Sequence, residues 1–156
     1  MLFRSGVDVL CFGGTKNGLP VGEAVVFFDK ALAADFAYRL KQAGQLASKM
    51  RFISAPWLGL LDNDVWLRNA RHANAMARLM ADRLAAIPEV KVLFETQSNA
   101  VFAELPPQVA LALRRTGWKF YQFIGSGGCR LMCAWDTKRE TVEQFTDEIR
   151  ALCAAR

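Results

Sequence analysis

The sequence predicts a fold of the α/β to α+β class, and three features carry that prediction. Two short apolar runs, 7–12 and 24–28, flank a glycine-rich turn. Apolar residues then recur every three to four positions through the middle of the chain, as on one face of a helix. Beyond Pro88 short β-like runs alternate with helix-like ones. The 156 residues, 53% of them hydrophobic and 22% charged, suit one domain or two small lobes sharing a core, and they exclude disorder.

Taken in order, 7–12 and 24–28 read as strands on either side of the turn Gly13-Gly14-Thr15-Lys16-Asn17-Gly18. Asp29 caps a helix carrying Leu32, Phe36, Leu40 and Ala43 on one face, and Gly44 stops it. A helical piece follows through Met50, Ile53 and Trp57. Asp62-Asn63-Asp64 then offers caps for a long helix through Trp66, Ala73, Ala77, Met80, Leu84 and Ile87, ended by Pro88 and placed as a hinge between two lobes. The expected division is therefore 1–64 and 65–156. In the second part come strands 90–95 and 100–105, a helix opened by Pro106-Pro107 and running to Arg115, a strand 118–124, a turn 125–128 and a strand 129–135. A closing helix follows, with Thr137 and Glu140 at capping-box spacing and Val142, Phe145, Ile149 and Leu152 on its apolar face. This order predicts an antiparallel sheet covered by helices on one side.

Charge and composition narrow the chemistry. The net charge of +5 is spread along the chain, too diffuse for a nucleic-acid surface. No apolar run approaches the roughly 18 residues that span a bilayer, and Asp8 interrupts the stretch nearest to a signal peptide, so the expectation is a soluble, cytoplasmic protein. Cys11, Cys129, Cys133 and Cys153 form no CxxC pair and the single histidine is His72, which argues against a zinc site and for reduced, half-buried thiols. Ser-His-Asp hydrolysis and the phosphate-binding glycine motifs lack their parts. His72 reads as a surface or interlobe residue rather than a base. Trp118, Phe120, Tyr121 and Phe123 read as a half-buried strand, and 125–128 as a strand connection.

The most informative place is Lys16. Bracketed by Gly14 and Gly18 where two apolar strands meet, it is either an ordinary lysine of a hairpin turn or an amine held and partly desolvated. In the second case its lowered pKa frees the neutral nucleophile that attacks an aldehyde.

The run VDVLCFGGTKNG at 7–18 resembles the pyridoxal phosphate lysine segment of bacterial low-specificity L-threonine aldolases. GQLASKMRF at 44–52, WLRNARHANAM at 66–76, NAVFAEL at 99–105 and RLMCAWDT at 130–137 resemble the same family in the same order. The resemblance implies the C-terminal portion of an aspartate aminotransferase-like, fold-type I architecture: the end of a large cofactor-binding domain in 1–64 and a small α+β domain in 65–156. It implies pyridoxal phosphate as cofactor, bound covalently at Lys16 beside Thr15, and cleavage of L-threonine or L-allo-threonine to glycine and acetaldehyde. Arg130 would grip the substrate carboxylate, as a planar guanidinium does with two parallel hydrogen bonds. Lys49 and Arg51 would lie near the cofactor phosphate, with a solvated helix face as the alternative. Family members are much longer and carry the lysine segment past the middle, so a truncated enzyme and a non-catalytic remnant that binds a partner both remain open. The partner would be another copy of this chain or a companion chain bearing the missing half.

Overall fold

The computed structural model describes residues 6–125 and 127–155. They divide into two compact units, Met1–Trp66 and Leu67–Arg156.

The first unit opens with strands β1 (Val9–Gly13) and β2 (Glu23–Phe27), an antiparallel pair in which Val9 faces Phe27 and Gly13 faces Glu23. A 3-10 turn over Thr15–Asn17 joins them, closed by Gly18 in the left-handed region at φ 110°. The helix expected from Asp29 onward is broken. Asp29 does accept from the Ala31 amide at 2.9 Å, but it caps only a 3-10 turn over Lys30–Ala33, and α1 (Phe36–Gln42) starts afresh where the Phe36 ring meets Phe27 of β2 at 4.8 Å. Gly44, at φ 69°, stops it as its sequence position suggests. Then comes α2 (Arg51–Leu61), which tolerates Pro56 within it. Asn63 and Asp64, both left-handed, turn the chain into α3 (Val65–Ala85). Among the described hydrophobic residues of this unit only Leu19 and Leu60 are buried, whereas Val25, Leu32, Leu46, Phe52 and Leu58 are exposed.

In the second unit, β3 (Lys91–Val92), β4 (Ala100–Glu104), β5 (Tyr121–Ile124) and β6 (Gly128–Met132) form one antiparallel sheet in the order β3-β4-β6-β5. Alternation along the strands separates two faces. Val101 and Ala103 of β4 and Cys129 and Leu131 of β6 are buried against α3, α4 (Pro107–Arg115) and α5 (Arg139–Ala154). Leu84, Val109, Leu113, Val142 and Ile149 from those helices complete this core, each at most 1% exposed. The opposite face carries Phe102, Arg130 and Tyr121, aligned in register across three strands. The sheet therefore has helices on one side, as expected.

Two local expectations give way here. The strands are shorter than their apolar runs, and Trp118 precedes β5 rather than lying in it. The capping box at α5 does not form: the Thr137 hydroxyl accepts from the Ala134 amide at 2.7 Å, and Lys138 occupies the cap with no side-chain bond. Among the described residues no helix is long and apolar enough to cross a membrane, and no cluster of acidic, histidine or cysteine side chains could hold a metal ion.

Candidate active site

The lysine turn rests on an aromatic base. Phe12, at the end of β1, meets Trp57 of α2 at 5.3 Å and Trp66 of α3 at 5.8 Å between ring centroids. Leu19 is buried on the far side of the turn. Gly14 sits between these groups, and any side chain there is excluded. An added Cβ would stand 2.5 Å from Leu19 Cδ1, 2.9 Å from Trp57 Cζ2 and 3.0 Å from the Gly22 carbonyl. The Gly14 carbonyl accepts from both the Asn17 and Leu19 amides, at 2.9 and 3.1 Å, while its own amide donates to Gly22 at 3.2 Å. Close packing and these bonds fix the backbone on which Lys16 is mounted.

Lys16 itself is exposed, and so is Thr15. Of the two alternatives for this lysine, the exposed one holds among the described residues: the turn holds the lysine backbone, and none of them buries its side chain. Lys49 has left-handed backbone (φ 59°) just before α2, and Arg51 is the first residue of that helix, its guanidinium 5.0 Å from the Phe52 ring. Both are exposed. No described hydrogen bond or ion pair joins either to the lysine turn, although α2 packs on it two residues further along, where Ile53 and Trp57 meet the position of a Gly22 Cβ at 3.4 and 3.1 Å.

Arg130 lies in the second unit at the centre of the open sheet face. It is half-buried, with its guanidinium carbon 5.3 Å from the Tyr121 ring centroid, and it lines an open depression with Arg114, Trp118, Phe120 and Met132. Tyr121, 67% exposed, is therefore not the core residue that the aromatic alternation suggests. Trp118 and Phe120 do pack inward, on Phe145 at 4.8 and 6.4 Å. The side chain of Phe123 and all of Ser126 lie outside the described residues. Sequence reasoning placed Asn17 in the turn, Trp57 and Trp66 on helices and Tyr121 in the core, and gave none of them a part in the site. An amide inside the lysine motif was the one available signal.

Three of the four thiols are withdrawn by burial. Burial pushes the Cys133 thiol up to about 11 and raises Cys129 too, against the pull of Arg114 and the Leu105 backbone. Cys153 is buried and Cys11 is exposed. His72 is exposed, and its Nε2–H donates to the Thr137 carbonyl at 2.7 Å, a structural tie ahead of α5.

The family model of beta-eliminating lyases matches residues 1–106, more than half of this sequence. The chain belongs to the beta-eliminating lyase family. It is 54% identical over 155 residues to the low specificity L-threonine aldolase of a Pseudomonas species, covering 99% of this chain and 45% of that protein. It is 56% identical over 153 residues to the low specificity L-threonine aldolase of Pseudomonas aeruginosa, covering 98% of this chain and 44% of that protein. The chain thus spans a little under half the length of these relatives. Among solved structures, a threonine aldolase from Leishmania major matches with a TM-score of 0.85 at 23% identity, over 97% of this chain and 44% of that one. A tryptophan decarboxylase from Catharanthus roseus matches with a TM-score of 0.55 at 19% identity, over 64% of this chain and 25% of that one. Both likenesses are of fold, and they are consistent with the C-terminal part of a fold-type I architecture.

For a beta-eliminating lyase the geometry fits one part of a pyridoxal phosphate site, its anchorage. The turn presents a primary amine outward from a fixed backbone. The groups present fit covalent attachment at Lys16; they do not by themselves enclose a cofactor.

Proposed function

We propose that this chain supplies the cofactor-anchoring lysine and the carboxylate-binding arginine of a pyridoxal phosphate-dependent lyase that cleaves L-threonine or L-allo-threonine to glycine and acetaldehyde. The observation that carries the reading is the outward amine of Lys16 on a backbone locked at Gly14, in a chain more than half identical to two low specificity L-threonine aldolases.

Pyridoxal phosphate, when bound, supplies an aldehyde for an amine and a conjugated ring that takes up the electron pair left on Cα as the Cα–Cβ bond breaks. Lys16 Nζ would hold that group, and when not bonded to it Nζ would be able to carry a proton to Cα. Arg130 binds the substrate carboxylate with its planar fork, which orients the Cα–Cβ bond; stacking on Tyr121 limits the rotation of that fork. Lysine cannot reproduce this pairing, so in the active enzyme Arg130→Lys is expected to weaken substrate binding by roughly 2 kcal/mol, read as a rise in KM. Thr15, Lys49 and Arg51 are assigned to the cofactor's surroundings on the resemblance alone.

The test is chemical. The chain is incubated with pyridoxal phosphate and reduced with borohydride, which fixes the cofactor on whichever amine holds it, and peptides are mapped by mass spectrometry. Label concentrated on Lys16 supports the reading, and threonine cleavage is assayed next. Label distributed over the lysines according to exposure would sink it for this chain.

A second reading, a binding module without catalysis, draws on the apolar residues left exposed in the first unit and on the span of less than half of each relative. It proposes that β1 and β2, whose outer edges pair with no other strand among the described residues, associate with a second copy or a companion chain. Sedimentation showing a monomer at all concentrations, without partner capture by the separately expressed N-terminal half of a relative, would refute it.

A further inference from the structure

We propose that Asn17 is a positioning residue for Lys16, fixing the lysine turn to the foot of α3; this rests on the reading of Lys16 as the cofactor-anchoring amine. A 3-10 turn has three residues per revolution, so neighbouring side chains leave its axis about 120° apart. Whatever fixes the direction of Asn17 therefore fixes that of Lys16, one residue before it. Lys16 and Thr15 are exposed and gain no orientation from packing. Asn17 is half-buried, and its Nδ2 donates to the main-chain carbonyl of Trp66 at 3.1 Å, across 49 positions of sequence.

That carbonyl is well chosen as a reference point. It belongs to the first turn of α3, a helix of 21 residues, where backbone bonding holds it more firmly than a loop would. The Phe12 ring reaches the Trp66 side chain from the other arm of the turn. Both flanks of the lysine segment thus close on one residue, the last of the first unit. Gly14 fixes the base of the turn and Asn17 its crest. A displacement of the first turn of α3 is passed through the amide to Lys16.

Two substitutions separate the donor from its shape. Asn17→Ala removes the side chain, and Asn17→Asp keeps the outline but, ionised, has no hydrogen to donate. The first measurement is the rate of pyridoxal phosphate and borohydride labelling at Lys16 as a function of pH, in the full chain. A carboxylate beside Lys16 shifts the midpoint of that profile, so variants are compared on the alkaline plateau, where the amine is neutral in each. Both variants are expected to lose roughly threefold to tenfold at Lys16, the scale of one hydrogen bond, with the other lysines unchanged. The second measurement is hydrogen exchange at the Gly18 and Leu19 amides, expected to accelerate in both variants while the amides of α5 hold. Unchanged exchange at Gly18 and Leu19 overturns the proposal whatever the cofactor does. Selective labelling of Lys16 that survives both substitutions overturns it while leaving the anchoring role intact. Unselective labelling of the wild-type chain overturns the anchoring role, and this proposal with it.

Discussion

Gly14 has no room for even a methyl group, and that makes it the sharpest residue-scale test of the lysine turn. Gly14→Ala drives a carbon against Leu19, Trp57 and the Gly22 carbonyl. The expected loss is about 1–3 kcal/mol, read from urea unfolding followed by tryptophan fluorescence. A change below about 0.5 kcal/mol would mean that the turn is not packed as described. Cys133 offers a second test at this scale. Its folded pKa of about 11 lies above the ordinary 9.0, so between those values the folded state holds a proton that the unfolded state has lost. The contribution to stability is complete below pH 9 and declines as pH rises through 11, by up to about 3 kcal/mol. In Cys133→Ala that alkaline decline is expected to flatten; a slope identical to wild type refutes the assignment. The identity of Lys16 and Arg130 as candidates was legible in the motifs that contain them. The surroundings were not, because a sequence shows neither that Lys16 lacks cover nor that Tyr121 lies outside the core beneath a guanidinium.

Elements form where period and punctuation agree, and shift where a tertiary contact competes. The α4 helix begins at Pro107, as the proline pair indicates, since its missing N–H falls where a helix needs none. The α5 helix begins without its capping box, because the Thr137 hydroxyl is engaged by Ala134 and the Thr137 carbonyl by His72. Thr137→Ala is accordingly expected to loosen the 134–137 turn, seen as faster exchange of the Ala134 amide, and to leave the helical circular dichroism signal of α5 unchanged. Loss of that signal would restore the capping box. Apolar periodicity misleads most in the first unit: Leu32 and Leu40 keep helical spacing yet are 54% and 37% exposed, while Leu84 and Leu113 are fully buried. Leu84→Ala is therefore expected to cost about 2–5 kcal/mol and Leu32→Ala under about 0.5 kcal/mol. Similar costs in denaturant titrations would show that Leu32 is covered after all. Periodicity records which face was meant to be buried; it does not say whether the covering surface belongs to the same stretch of chain.

At the scale of the whole molecule, the two units are unequally built. The α/β to α+β class, the antiparallel sheet and its helical cover were readable from the order of elements, since local spacing and short connections leave few alternatives. The pairing of β1 with β2 was readable as well, since two apolar runs flank a single tight turn. With most of its buried hydrophobic residues beyond Leu67, the chain is expected to unfold in two steps, the first unit at lower urea concentration. Coincident loss of β1–β2 and β4–β6 amide protection would contradict this.

The order of the units along the chain has a consequence for synthesis. At about 5–20 residues per second, roughly 5–18 seconds of translation separate completion of the first unit from completion of the second. Val25, Leu32, Leu46 and Phe52 are exposed in the first unit, with almost no core beneath them, and stay exposed when the second is complete. A holding chaperone therefore has its binding site from that interval onward, and two neighbouring ribosomes on one message can bring unfinished copies together.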